Sequence, residues 1–472
     1  MTGLRQLQFL AAIAAVLLAG CVMGPDYKRP ATTVPTAFRG DDAGKTNSLG
    51  DLPWWQLFHD ETLQSLIQKA ISDNYDVRIA AARVEQAAAV LAQNRAGYYP
   101  QINYLGAVGI GKNAIEGNAI PKASQTEWWE AIGSVSWEAD LWGRIRRMNE
   151  SARARYLATA EARTNVLLSL VTTVASDYFQ LLALDRELEI ARETTNSFGE
   201  SLRIFSQRLR GGVSSKLETA AAEAAEASAA GTVPELERQI IVQENQLRIL
   251  LGLNPGPIVR QKKLLDQVFP PDVPPGLPSA LLERRPDIRQ AEALVRAANA
   301  QVGVAKADFF PKINLTALLG QVSPDVSAFT SGSSTAWSLG ASLAGPIFQG
   351  GLLKGQYRQA KAVWDEAVLK YQSAVLTALQ EVSDALVARQ KLAQERVEQE
   401  HAVRAYEEAV HVASQRYTAG EANYYELLQE QQLLFPAENS LTQTELNQLL
   451  ATVQLYRALG GGWTFSKPVS IR

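Results

Sequence analysis

Tyr98-Tyr99-Pro100-Gln101-Ile102-Asn103 and Phe309-Phe310-Pro311-Lys312-Ile313-Asn314 are two copies of one phrase, and the rest of the chain is organised around them. Asp76 to Gly109 matches Asp287 to Gly320 at a constant offset of 211, with Arg78 on Arg289 and Arg95 on Lys306. Further on the offset is 208: Val174 meets Val382, Arg208 meets Arg416 and Gly212 meets Gly420. A long internal repeat of this kind sets the architecture before any local propensity is read. The seam between the halves carries Pro255, Pro257, Pro270, Pro271, Pro274, Pro275 and Pro278, a run that reads as an extended connector.

Each half reads the same way. A helix pattern (62–97, then 285–308) ends at the aromatic-Pro step, and two short alternating segments follow. Next comes an uninterrupted helical stretch (143–209, then 351–417), a Gly turn, and a last helix (214–251, then 422–459). The long stretches contain no Pro and keep a heptad, with Leu167, Val174, Leu181 and Leu188 on one line and Leu170 and Leu184 beside it. Val375, Leu379, Val382 and Leu386 continue that spacing in the second half. A helix of about 67 residues is ~100 Å long, far more than a bilayer is thick, so these rods stand in water. The two shorter helices of the first half, stacked end to end, match one long helix and form an interrupted rod beside it. Ala220–Ala230 supplies small side chains for close helix approach, or simple helix propensity. A solvated coiled-coil scaffold satisfies all of this.

The alternating segments add something else. Ile102, Tyr104, Val108 and Ile110 oppose Gln101, Asn103, Gly109 and Gly111. Trp129, Ala131, Val135, Trp137 and Leu141 oppose Glu130, Ser134, Ser136, Glu138 and Asp140. In the second half Ile313, Leu315, Ala317 and Leu319 face away from Lys312, Asn314 and Thr316. Trp337, Leu339, Ala341, Leu343 and Ile347 alternate with Ser338, Gly340 and Ser342. Strands of this length with one apolar face suit a transmembrane barrel; a soluble sandwich face gives the same alternation. Tyr98, Tyr99, Trp128, Trp129, Trp137 and Trp142 make the interface belt of the first pair, and Phe309, Phe310, Trp337 and Phe348 that of the second. Four strands cannot close a barrel, and lipid does not tolerate open edges, so the chain must oligomerise through its strands. Two copies give eight strands and three give twelve; twelve leaves room for a lumen.

The amino terminus agrees with export. Arg5 precedes an apolar run from Leu7 to Leu18, which ends at Leu18-Ala19-Gly20 before Cys21, the single cysteine. That is a secretory signal, too short to span. Leu-Ala-Gly-Cys resembles the bacterial lipobox, in which the cysteine is acylated and becomes the first mature residue; the other reading is a free Cys behind an ordinary signal. Val22, not Asp, follows, so the inner-membrane retention signal of enteric bacteria is absent. Several acyl chains at ~0.8 kcal/mol per methylene hold firmly.

Composition narrows the rest. The 472 residues carry a net charge of −3, with no basic excess for nucleic acid. One Cys and three His leave little for a metal centre. His401 and His411 sit about 80° apart around a helix, and His59 stands alone. Gly460-Gly461-Gly462 follows a helix and reads as a terminator, not a phosphate loop. No enzyme is expected.

The chain resembles the TolC/OprM-like outer-membrane efflux factors, in their lipoprotein branch. The matching pieces are the lipobox, Gly24-Pro25-Asp26-Tyr27-Lys28-Arg29-Pro30, Trp54-Trp55 ahead of Phe58, and Leu141-Trp142-Gly143-Arg144. Further matches are Leu281-Leu282-Glu283-Arg284-Arg285-Pro286-Asp287-Ile288 and Pro346-Ile347-Phe348-Gln349-Gly350-Gly351. Arg416-Tyr417 with Gly420, and Leu459-Gly460-Gly461-Gly462-Trp463, complete the set. The resemblance implies a mainly α homotrimer with a small β part. Its twelve-stranded transmembrane β-barrel, four strands per chain, is continued by a twelve-helix periplasmic α-barrel. It implies docking onto a periplasmic adaptor and an inner-membrane pump, and no cofactor beyond a covalent lipid on Cys21. Domain bounds follow: signal 1–20, lipid-anchored segment 21–61, first repeat 62–252, Pro-rich linker 253–284, second repeat 285–459, tail 460–472.

The turns at 211–218 and 419–426 then form the periplasmic tip, which in the family narrows to an iris. Tyr425 and Gln429 lie four apart on one helix face and are the aperture candidates. Gln429 stands where relatives carry an aspartate ring. Glu426 and Glu218 are the remaining carboxylates here, as gate charge or as solvated surface. The alternative to a conducting channel is a lipid-anchored coiled-coil scaffold without a pore.

Overall fold

The computed structural model describes residues 22–39, 48–112, 114–115, 118–119, 125–267, 276, 278–324 and 326–461. Cys21 lies outside them. The elements are α1 (Glu61–Asp73), α2 (Tyr75–Ala96), β1 (Gln101–Lys112), β2 (Gln125–Ala139), α3 (Arg144–Arg210) and α4 (Lys216–Leu250). The second half repeats them as α5 (Pro286–Ala307), β3 (Lys312–Ser323), β4 (Thr335–Ala344), α6 (Leu352–Ala419) and α7 (Tyr424–Ala458). The chain forms two compact units. One takes Met1–Ala31, Arg83–Ala160 and Gln290–Gln372; the other takes Thr32–Ala82, Glu161–Arg289 and Ser373–Arg472.

The first unit holds a four-stranded antiparallel sheet in the order β1-β2-β3-β4, and a separate short antiparallel pairing of Ala114–Ile115 with Asn118–Ala119. Both hairpins are regular ladders, and β2 joins them by pairing with β3 from Trp129↔Ser323 to Ala139↔Ile313. Leu141 and Ile347, expected within strands, lie just beyond β2 and β4. Trp142 stacks on Phe310 with ring centroids 4.7 Å apart and donates its indole N–H to the Pro311 carbonyl at 2.8 Å. The extended segment after Val22 is strapped down beside it. Met23 N donates to the Trp142 carbonyl at 3.0 Å, and the buried Arg147 guanidinium reaches the Met23 carbonyl and Asp26. Gly24, at φ 94°, lets the strap cross Gly303, where a Cβ on Gly24 would stand 2.5 Å from the Gly303 Cα. Glu292 anchors the far end. Burial pushes its carboxyl up, but donors from Arg29, Arg296 and Tyr27 together hold it below the usual range.

The second unit is helical. Leu170, Val174, Leu181 and Leu184 of α3 are buried, as are Val375 and Val382 of α6, along the heptad lines read from sequence. One window of α3 is apolar enough to cross a membrane, yet most of it is buried within the chain. The expected helix 62–97 is two helices. Asn74 breaks it, because its side-chain oxygen accepts from the Asp76 and Val77 amides and so starts a new helix. Its amide then donates to the Leu250 carbonyl at 2.9 Å, so the end of α4 abuts the start of α2. Arg285 repeats the device in the second half, donating to the Ala458 carbonyl at 3.0 Å. Pro234 and Pro436 sit inside α4 and α7, where each removes one helix hydrogen bond. Both long helices stop alike: Gly212 and Gly420 adopt φ 76° and 80°, and Val213 and Glu421 donate back to Arg208 and Arg416. A left-handed glycine with this six-to-one bond ends a helix cleanly.

Candidate functional site

Two features of the chain are unfinished or specialised in ways that bear on function. One is the pair of sheet edges. Among the described residues, β1 and β4 each pair on one side only. Their apolar rows are bare, with Tyr104 93% and Leu339 80% exposed. A soluble sandwich covers such a row with a second sheet, and no second layer packs here among the described residues of this unit.

The other is the turn end of the helical unit. Here Phe205 of α3, Tyr417 of α6 and Tyr424 of α7 meet. Ring centroids lie 5.5 Å apart for Phe205–Tyr417 and 3.9 Å for Phe205–Tyr424. Phe198, Leu427, Leu428 and Ala222, Ala225 and Ala229 of α4 close the cluster. The alanines of 220–230 thus do allow close helix approach. Arg208 caps the cluster, donating to the Tyr417 hydroxyl at 2.6 Å with its guanidinium carbon 4.4 Å from the ring centroid. Tyr424 is only 2% exposed, and its hydroxyl finds no partner among the described residues. Burial, with the neighbouring tyrosines, pushes that hydroxyl up to about 12.

The sequence-derived aperture residues fall in three places. Tyr425 (47% exposed) and Gln429 share the exposed face of α7, opposite the buried Tyr424, Leu427 and Leu428. Glu426 stands on that side too, paired with Arg416 at 3.2 Å, both half exposed. Glu218 is the third residue of α4, closing a capping box with Ser215. Hydrogen bonds from Ser214 and Ser215 hold its carboxyl below the usual range. That is a helix-start role, written in the sequence as Ser215-x-x-Glu218. The aromatic cluster itself was not foreseen; Phe198 and Phe205, seven apart, were its only trace. No group of carboxylates, histidines or cysteines able to hold a metal ion occurs among the described residues.

The outer membrane efflux protein family model matches residues 66–253 and 277–461. A probable efflux pump outer membrane protein, TtgC of Pseudomonas putida, is 34% identical over 460 residues, covering 96% of this chain and 95% of that protein. The cation efflux system protein CusC of Escherichia coli is 32% identical over 466 residues, covering 98% and 100%. The crystal structure of the open state of the Neisseria gonorrhoeae MtrE outer membrane channel superposes with a TM-score of 0.85 at 29% identity, covering 94% of this chain and 98% of that one.

Proposed function

Because the chain belongs to the outer membrane efflux protein family, we propose that it is the outer-membrane channel subunit of a tripartite efflux system. Three copies each contribute four strands to one barrel and helices to a periplasmic tunnel. The observation that carries this is the four-stranded sheet with a bare apolar row and two unpaired edges. In lipid, such edges are satisfied only by closure with further strands. Conduction is passive. The chain is not an enzyme, so the driving energy comes from the inner-membrane pump through the periplasmic adaptor. Reconstituted protein should run as heat-labile trimers and conduct in planar bilayers. A persistent monomer without conductance would favour the pore-free lipoprotein scaffold instead.

Two finer assignments belong to the same reading. Cys21 carries the lipid anchor, supported by the strap that begins one residue later and ties Met23 to Trp142 beside the foot of β2. Palmitate labelling that is lost in Cys21→Ser, with the barrel still inserted, is the expected result. Tyr425 and Gln429 line the periplasmic aperture, with Glu426 beside them, supported by their shared exposed face next to the helical turn. The burial of Tyr424 among Phe205 and Tyr417 supports choosing the Tyr425 face over its own.

A further inference from the structure

The second hairpin is the first one repeated, register included. In the first, Gln101 pairs with Ser136 and Ile110 with Glu127. Advancing β1 numbers by 211 and β2 numbers by 208, the two offsets of the repeat, gives Lys312 with Ala344 and Gln321 with Thr335. Those are the pairs the second hairpin makes. Duplication has therefore carried strand register as well as secondary structure.

One pairing remains without a counterpart. β2 pairs with β3, joining the second strand of one repeat to the first strand of the next, with Trp129 opposite Ser323, Gly133 opposite Leu319, Val135 opposite Ala317 and Ala139 opposite Ile313. Its repeat would join β4 to another β1. The chain's own β1 lies at the opposite edge of the sheet, three strand spacings or about 14 Å away. Advancing β2 numbers by 208 and setting β3 numbers back by 211 fixes the missing register. We propose that β4 pairs antiparallel with β1 of a second copy of this chain, with Trp337 opposite Lys112, Ala341 opposite Val108, Leu343 opposite Gly106 and Ile347 opposite Ile102. This rests on the closed-barrel reading above and adds the residue-level register to it.

Two observations independent of the offsets agree. Residues directly opposite one another share a face of the sheet. The proposed register sets the exposed row Trp337, Leu339, Leu343 beside the exposed row Ile102, Tyr104, Val108 and Ile110. A slip of one residue would set that row beside the other row of β1, with Gly109 or Gly111 opposite Leu339 and Leu105 or Ala107 opposite Leu343, so less apolar surface is matched and the slip is disfavoured. Strand length agrees as well. β2, flanked on both sides, runs to Ala139, where β3 still accompanies it, whereas β4 stops at Ala344, opposite the first residue of its single partner. A second-copy β1 starting at Gln101 would carry β4 on to the fully exposed Ile347. Assembly is thus expected to lengthen β4 by three residues.

Cysteine pairs test the register in oxidised outer membranes. The in-register pairs are Ala341→Cys with Val108→Cys and Leu343→Cys with Gly106→Cys; a Cβ at Gly106 meets nothing within 4 Å. The displaced pairs are Ala341→Cys with Gly106→Cys and Ala341→Cys with Ile110→Cys. In-register pairs should form inter-copy disulfides at least about tenfold faster, because only directly opposed strand residues fall within disulfide reach. Each displaced pair reuses an in-register cysteine, so a general folding defect slows both alike, and the 343/106 pair gives a second reading without residue 341. Faster crosslinking in a displaced pair would overturn the register while leaving the multi-copy barrel intact. Heat-labile trimers and conductance with no crosslink in any pair would overturn it too. Monomers alone would take both the register and the channel reading down.

Discussion

In the sheet, Tyr104 and Leu339 hold 93% and 80% of their surface bare, while at the helical turn end Phe205 and Tyr424 are 1% and 2% exposed. Both regions concentrate aromatic and aliphatic residues, yet one spends them outward and the other inward. Among the described residues of its own unit no second layer covers the apolar row of the strands, so that row is matched to lipid and the sheet edges to another copy. The turn end closes on itself, with α3, α4, α6 and α7 of one chain all contributing to its cluster. Apolar content therefore says little about burial until the partner surface is known, and the two regions should answer to mutation in opposite ways.

The largest effect is expected where the chain packs on itself. Phe205→Ala removes the ring shared by Tyr417 and Tyr424 and should cost about 3–5 kcal/mol of local stability. Hydrogen exchange should accelerate around 198–205 and 417–428, while the sheet keeps its protection. Equal loosening of the strands would erase the distinction between the regions.

Next comes charge on the lipid-facing row. Leu319→Arg should cost about 2–4 kcal/mol near the bilayer midplane. Tyr425→Arg, at a side chain about half exposed but in water, should stay within about 0.5 kcal/mol. Membrane insertion and thermal melting of the two variants compare lipid with water directly. Similar tolerance at both sites would mean that the sheet does not face lipid.

A smaller change follows from removing the unpartnered hydroxyl. Tyr424→Phe should stabilise the turn end by about 1 kcal/mol, since a buried polar group is taken away with no partner lost. The pH dependence has a definite sign. Tyr424 titrates at about 12 when folded and near 10 when unfolded, so above pH 10 the unfolded chain loses its proton first and stability falls as pH rises toward 12. The Phe variant should lose that component of alkaline melting, and unchanged alkaline melting would count against the assignment. Smallest in stability is the double change Tyr425→Ala with Gln429→Ala, within about 0.5 kcal/mol. Its signature is functional: raised resting conductance, which Tyr425→Phe alone should not produce.

Much of this was legible in the chain itself. The duplication, the four strands, the long rods and the glycine stops at 212 and 420 all lie in periodic patterns or in residues with one conformational use. Asn74 escaped notice because one residue splits a pattern that is otherwise continuous on both sides. Glu218 stood in a recognisable capping pattern, yet its position near the turn invited a functional reading. The face of α7 was a harder matter. A helix rotates about 100° per residue, so Tyr424 and Tyr425 differ only in which neighbour each one meets.

The sequence alone determined what is local or repeated: helix and strand periods, the stops between them, and the offsets of 211 and 208. Those follow from backbone geometry and from side chains near in number, which act wherever the chain goes. Only the tertiary structure decided which apolar residues are core and which are bare, that Phe205 belongs with Tyr417 and Tyr424, and that β2 meets β3 in the register now extended to β4. Those depend on surfaces brought together from distant parts of the chain. Burial is a property of the pair of surfaces, and no single segment carries it.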